Sequence, residues 1–300
     1  MKVVVGTRGS SLALSQTNIV INMIKQIHPN IEFEVKIIKT KGDILKDIAI
    51  DKLGGKKIFV KEIERELLEG TIDMAIHSMK DMPGELPKGL KLSFTPLRED
   101  YRDVFVFREG INSLDELPKG AKIGTGSKRR KYQILAYRPD LNIVPIRGNV
   151  ETRIKKIETE NLDGVILAAA GIKRLGLNLG NRISYIDKKI MLPSPSQGIL
   201  AIEIRENDEK MDNLLVGLSH KETEIQGTVE RAFLKGVGGS CHLPVGAYCQ
   251  VLKDKIIVEG LLGSEEGDVL IRKSIVENID LYEEAGGKLA EIIMEEMAQI

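Results

Sequence analysis

Val3, Val4 and Val5 form a β-branched run that breaks at Gly6 and Gly9, and a helical pattern then runs from about Ser11 to His28, where Pro29 stops it. A strand that turns directly into a helix points to layered α/β architecture, because helices joining strands favour parallel pairing. The succession recurs. Alternating Phe33, Val35 and Ile37 predict a second strand; Phe59, Ile63 and Leu67 mark a helix capped at Gly70; Ile72, Met74 and Ile76 form a strand ending at His77 and Ser78. Between them, Thr40 to Lys57, with Gly42, Gly54, Gly55 and many charges, reads as a loop. The expectation is a mostly parallel sheet.

After Arg98 the pattern restarts, with strands at Val104 to Phe107, Lys122 to Thr125, Ile143 to Ile146 and Val165 to Ala168, and helices opened by Ser127 and Asn149. Pro193 and Pro195 precede an alternating strand, Leu200, Ile202 and Ile204, which is expected to return to the first sheet. From His220 follow a helix, a Gly-rich turn at Gly236 to Ser240, strands meeting around Lys253 to Lys255, and a last helix from about Leu281. The predicted organisation is α/β with three domains: residues 1–97 with 197–217, residues 98–196, and a small α+β domain over 218–300.

Length agrees, since 300 residues exceed what one core usually spans. Basic and acidic residues balance at 44 each, which disfavours a general nucleic-acid binder. The balance is not local: residues 119–182 hold fourteen basic and five acidic side chains, and residues 201–300 hold ten and twenty. The middle should attract anions. No apolar run reaches the eighteen or so residues of a membrane span, and the start is too short for a signal peptide, so a cytoplasmic protein without a membrane partner is expected. Two cysteines and four scattered histidines give no zinc spacing, and no metal is expected.

Gly124, Thr125, Gly126 and Ser127 lead into Lys128, Arg129, Arg130 and Lys131, gathering amides, hydroxyls and guanidinium groups where a strand enters a helix. Arg147 repeats the arrangement at the next strand end, Arg153 follows on the helix, and Arg174 comes after the strand ending at Ala168. Guanidinium forks grip carboxylates in pairs, so several at one sheet edge suit a ligand with several carboxylates better than one phosphate. Taken singly, each arginine reads equally as part of a solvated basic face. Only Tyr132 and Tyr137 accompany them, which is poor for a stacking groove, and Walker spacing is absent.

At His77, Ser78, Met79, Lys80 and Asp81 a strand delivers a hydroxyl, an ammonium and a carboxylate to its carboxyl end. Asp81 suits stabilising a cation or moving a proton, and a Lys80 to Asp81 ion pair is the bland alternative. Cys241 follows Gly238, Gly239 and Ser240 on a flexible loop, open to covalent duty or to none, whereas Cys249 sits in an apolar strand and reads as core. Arg8 and Ser10 face a ligand or, for Ser10, cap a helix.

Taken together, these segments resemble the hydroxymethylbilane synthase family, also called porphobilinogen deaminase. The matching pieces are Thr7-Arg8-Gly9-Ser10-Ser11-Leu12-Ala13-Leu14, Gly54-Gly55-Lys56, His77-Ser78-Met79-Lys80-Asp81 and Arg98-Glu99-Asp100. They continue through Gly124-Thr125-Gly126-Ser127-Lys128-Arg129-Arg130, Arg147-Gly148-Asn149-Val150-Glu151-Thr152-Arg153, Ala170-Gly171-Ile172-Lys173-Arg174-Leu175-Gly176 and Gly239-Ser240-Cys241-His242-Leu243-Pro244-Val245-Gly246.

The resemblance implies a monomeric transferase of tetrapyrrole and haem biosynthesis that joins four porphobilinogen molecules head to tail into hydroxymethylbilane, releasing ammonia at each addition. It implies a covalent dipyrromethane cofactor, built from two substrate units and held by Cys241 as a thioether. It also implies that Asp81 stabilises the cation formed as ammonia leaves. By motif, Ser78, Lys80, Thr125, Ser127, Arg129 and Arg130 would hold cofactor carboxylates, and Arg8, Ser10, Gln16, Arg147, Arg153 and Arg174 the substrate or growing chain. Lys52 and Lys56 would lie on an active-site lid spanning residues 40–57. The implied fold is two domains like periplasmic binding proteins flanking a cleft, with a third presenting the cysteine loop. Three residues depart from the family pattern: Lys41 stands where arginine is common, Lys57 for a usual glycine and Lys128 for a usually apolar residue.

Overall fold

The computed structural model describes residues 1–44, 60–239 and 243–300. One five-stranded sheet comprises β1 (Lys2–Thr7), β2 (Glu32–Ile37), β3 (Met74–Ser78), β4 (Leu90–Leu92) and β10 (Leu200–Arg205), in the order β2-β1-β3-β10-β4. Both faces are covered. Val3 and Val5 pack with Val20, Ile21 and Ile24 of α1 (Ser11–Ile27) and with Met211 and Leu215 of α7 (Glu209–Leu215). Val4 points the other way, toward Ile63 and Leu67 of α3 (Lys61–Leu68). Three consecutive valines make sense only for a strand buried on both sides.

The second sheet comprises β5 (Asp103–Phe107), β6 (Lys122–Gly124), β7 (Asn142–Val144), β8 (Gly164–Ala168) and β9 (Ile183–Tyr185), in the order β7-β6-β8-β5-β9. Alternation again sorts the side chains. Phe105 and Phe107 meet Ile134 of α4 (Lys128–Tyr137), and Val104 and Val106 meet Ile157 of α5 (Val150–Thr159) and Ile172 of α6 (Ala169–Arg174).

Helix and strand alternation predicts mostly parallel sheets, but each sheet has two parallel and two antiparallel pairings. The reversed strands are β10 and β5. Each is the first strand after the chain crosses from the other sheet, and each crossing arrives at a carboxyl edge: Leu200 pairs with Ser78 and Asp103 with Ala168. A chain that enters a sheet at that edge can only run back down it. This placement keeps both crossings beside the site described below.

The remainder is a three-stranded antiparallel sheet, β11 (Val245–Val251), β12 (Lys255–Gly263) and β13 (Leu270–Asn278), backed by α8 (Lys221–Gly236) and α9 (Tyr282–Met297). Phe233, Leu289 and Ile293 fill the space over Ala247, Cys249 and Val258. The helices approach so closely that a Cβ on Gly286 would lie 2.1 Å from the Val229 carbonyl oxygen. Cys249 is fully buried, as its apolar strand predicts, and burial pushes its thiol well above the ordinary range. The stretch from Thr40, expected to be a loop, begins with a helical turn, α2 (Lys41–Ile44). Lys52, Lys56, Lys57 and Cys241 lie outside the described residues. No helix among the described residues is long and apolar enough to cross a membrane.

One buried carboxylate fastens this third part to the crossings. Glu230 of α8 accepts from the Arg98 guanidinium at 2.7 and 3.1 Å, from the Ser196 amide at 2.6 Å and from the Cys249 amide at 2.9 Å. Its side chain has no exposed surface, and that of Arg98 has 6%. Removing one member of such a pair strands the other without solvent. Glu230→Ala is therefore expected to lower unfolding free energy by about 3 kcal/mol or more in denaturant titration; a loss under about 1 kcal/mol would show the pair to be incidental.

Candidate active site

The carboxyl ends of the two five-stranded sheets face each other across a cavity of about 540 Å³. Each wall is built by the same local device, a strand that stops and a helix or tight turn that begins. β1 ends at Thr7, Arg8 follows, and Ser10 caps α1 by accepting from the Ala13 amide at 3.2 Å. Ser10 is thus the cap, and capping leaves its hydroxyl proton free to donate. A turn and a half along α1, Gln16 is buried and donates from Nε2 to the Ser78 hydroxyl at 2.8 Å.

Ser78 ends β3, and the 3-10 turn Met79–Asp81 turns Lys80 and Asp81 to the cavity. They do not pair with each other. The Lys80 ammonium donates to Gln197 Oε1 at 3.2 Å, and Asp81 is exposed to the cavity. Burial pushes Lys80 down to about 8, against the opposing pull of Asp81; the Arg130 charge lowers it further.

From the second sheet come Arg130, Arg147, Arg153 and Arg174. Arg153 Nε donates to the Gly148 carbonyl at 2.7 Å, and Arg174 donates to the Gly198 carbonyl at 2.6 Å. Burial brings both guanidinium groups down to about 10, and for Arg153 the nearby Arg130 charge adds to the effect. Among the described residues, six basic side chains (Arg8, Lys80, Arg130, Arg147, Arg153 and Arg174) thus line the cavity, against one acid, Asp81. Crowded like charges in a partly desolvated cleft favour an anion with several carboxylates.

Ten of the residues singled out by sequence line this cavity: Arg8, Ser10, Gln16, Ser78, Lys80, Asp81, Arg130, Arg147, Arg153 and Arg174. Thr125, Ser127 and Arg129 stand behind the wall. The Thr125 hydroxyl accepts from the Ser127 amide at 3.2 Å, and Ser127 caps α4. Arg129 donates to Asp103 Oδ2 at 2.7 Å and to the Leu192 carbonyl at 2.8 Å. Arg130 also reaches Asp103, through Nε at 3.0 Å and Nη2 at 2.8 Å. Burial alone would raise the Asp103 carboxyl, yet the two guanidinium groups hold it well below the usual carboxylate range. The acid keeps Arg130 charged at the back of the cavity.

Sequence reasoning passed over Asp103 and Gln197. An acid heading the apolar run Val104 to Phe107 is a sign of a buried partner, and Gln197 sits in the proline-marked crossing. Lys128 finds its reason here too. Its ammonium donates to Glu265 Oε1 at 3.1 Å, and Tyr132 on the same helix donates to the Glu265 carbonyl at 3.1 Å, so the β12 to β13 turn grips the helix carrying Arg129 and Arg130.

Residues 3–213 match the family described as porphobilinogen deaminase, dipyromethane cofactor binding domain, and residues 225–295 match the porphobilinogen deaminase C-terminal domain. The chain is similar to the porphobilinogen deaminase of Clostridium novyi, with 60% identity over 99% of this chain and 100% of the relative. It is also similar to that of Clostridioides difficile, with 55% identity over 99% and 98%.

Because Lys80 loses its proton near 8 while Arg153 and Arg174 keep theirs to about 10, raising pH from 7 to 9 should remove one positive charge from the cavity. Calorimetric titration of the Cys241→Ala chain with citrate is expected to show affinity falling up to about tenfold over that interval. The fall should be absent in a Cys241→Ala chain that also carries Lys80→Met. A pH-independent affinity in the Cys241→Ala chain itself would remove Lys80 from anion binding.

Proposed function

The chain belongs to the porphobilinogen deaminase family, and on that premise we propose how its own side chains divide the work of making hydroxymethylbilane. The enzyme is a transferase that joins four porphobilinogen molecules head to tail, losing one ammonia at each addition, and it carries a dipyrromethane cofactor. The observation that carries the residue assignment is Asp81, the one carboxylate among the described residues that line the cavity, set among six cations in a cleft between two sheets.

The cavity suits the cofactor chemically. Each of its two pyrroles bears an acetate and a propionate, and the cationic wall with hydroxyls at Ser10 and Ser78 offers charge-assisted donors for several carboxylates at once. When bound, dipyrromethane supplies the nucleophilic pyrrole carbon from which the chain is extended. Cys241 is the attachment residue in this reading. It follows α8 in the part that Glu230 and the Glu265 contacts hold against the crossings and α4.

Lys80, Arg130 and Ser78 receive cofactor carboxylates, while Arg129, Thr125 and Ser127 serve that binding from behind by fixing the start of α4. Arg8, Arg147, Arg153 and Arg174, with Ser10 and Gln16, receive the carboxylates of incoming and accumulating substrate. Asp81 acts where the charge changes sign. As ammonia departs, positive charge develops on the substrate pyrrole and its methylene carbon, and a carboxylate already oriented there stabilises it without reorganisation. The same carboxylate can accept a hydrogen bond from a pyrrole N–H. The surrounding arginines bind carboxylates and would repel this cation, so a carboxylate such as Asp81 is needed. We place the reaction in the cytoplasm, on a monomer.

Two measurements check this. Intact mass under denaturing conditions is expected to exceed the sequence mass by two deaminated porphobilinogen units, and Cys241→Ala should abolish the increment; active wild type at sequence mass would exclude the covalent assignment. Asp81→Asn keeps shape and hydrogen bonding but loses the charge, and should lower kcat by at least about a hundredfold with folding intact. Near-normal turnover would sink the role given to Asp81.

A further inference from the structure

Gln197 occupies the crossing from the second sheet to the first, and its side chain is bonded at both ends. Oε1 accepts from the Lys80 ammonium at 3.2 Å. Nε2 faces three oxygens: the Tyr101 carbonyl at 2.8 Å, Asp103 Oδ1 at 3.0 Å and the Arg102 carbonyl at 3.3 Å. The amide can sit only this way round, since the reverse would set its oxygen against three acceptors and its N–H groups against an ammonium. The residue has no exposed surface. Its backbone is equally fixed. The Gln197 carbonyl accepts from Arg98 Nε at 2.9 Å, and the preceding Ser196 amide donates to Glu230. Next in the chain, Gly198 has φ +91°, and a Cβ there would lie 2.3 Å from the Glu99 carbonyl oxygen.

We propose that Gln197 is the positioning residue for Lys80: its amide, aimed by Asp103 and two main-chain carbonyls, holds the ammonium at the cavity wall. This rests on the reading above in which Lys80 receives a cofactor carboxylate, and deepens it by naming what sets that contact. Lys80 belongs to the first sheet and Asp103 to the second, so the amide makes the placement of the one depend on the other. The acceptor matters because burial brings Lys80 down to about 8. It is surrounded by Asp81 on its own turn and by Asp103, Arg129 and Arg130 of the second sheet and its helix, and burial has already weakened its hold on the proton. Removing a neutral acceptor then weakens that hold further.

The test uses the full-length holoenzyme with Gln197→Met, which keeps volume but neither accepts nor donates strongly, and Gln197→Glu, whose second oxygen meets Asp103 and two main-chain carbonyls and is therefore held as the protonated acid, keeping an acceptor toward Lys80 and a donor toward Asp103. Lys80 acylation by a trace of acetic anhydride is followed across pH by peptide mass spectrometry, beside the pH profile of kcat/KM. The labelling midpoint should move down by about one pH unit in the methionine variant and stay at the wild-type value in the glutamate variant. The kcat/KM profile should follow the same pattern. A midpoint that falls with loss of the acceptor and is restored by the conservative variant is what a merely structural role cannot give. Equal midpoints in wild type and the methionine variant, the same downward shift in both variants, or failure of both variants to fold would overturn the proposal. Labelling reads Lys80 whether or not the chain turns over, so an error in the functional reading would appear in the intact mass and the activity, leaving the midpoints in place.

Discussion

The carboxylate of Glu230 is the constraint on which the arrangement of the molecule depends. It lies without solvent and satisfies four N–H donors: two on Arg98, one on Ser196 and one on Cys249. Those donors come from the outward crossing, the return crossing and the third sheet. A buried charge tolerates few alternative geometries, because each lost partner leaves an unsolvated group behind. Arg98 continues the network through the Gln197 carbonyl, and Gln197 carries it to Lys80 and Asp103. A continuous set of polar contacts therefore runs from the α8 helix to the cationic wall.

Two kinds of arginine result. Arg129 and Arg130 share the one carboxylate of Asp103, and their geometry is fixed from within the protein. Arg153 and Arg174 donate to the main-chain carbonyls of Gly148 and Gly198, and burial weakens their hold on their protons. Cations held this way raise the free energy of the cleft until an anion arrives, and part of the attraction for a polycarboxylate is relief of that repulsion. The division also explains why the site tolerates so much positive charge in a chain whose overall balance is even.

Much of this was legible in the sequence because it was local. Strand-to-helix turns place Arg8, Ser78, Lys80, Asp81 and Arg147 at carboxyl edges, and local pattern finds such turns. What escaped was long-range. Arg129 and Arg130 read as ligand arginines from their neighbours, yet both bond Asp103, and for Arg129 that partner lies behind the cavity wall. Gln197 meets residues nearly a hundred positions away, and no periodicity announces such a meeting. The reversed strands escaped for the same reason. Alternation tells which face a residue takes, but the direction of β5 and β10 follows from where the chain re-enters a sheet.

That re-entry bears on how the molecule is made. β10 lies between β3 and β4, so a growing polypeptide holds a gap in its first sheet until Arg205 has left the ribosome. All five strands of the second sheet, ending at Tyr185, emerge before then. The amino-terminal layer must wait, unfinished, for a piece synthesised after its neighbour is complete, and the order of birth along the chain is the reverse of the order in which the two layers can close.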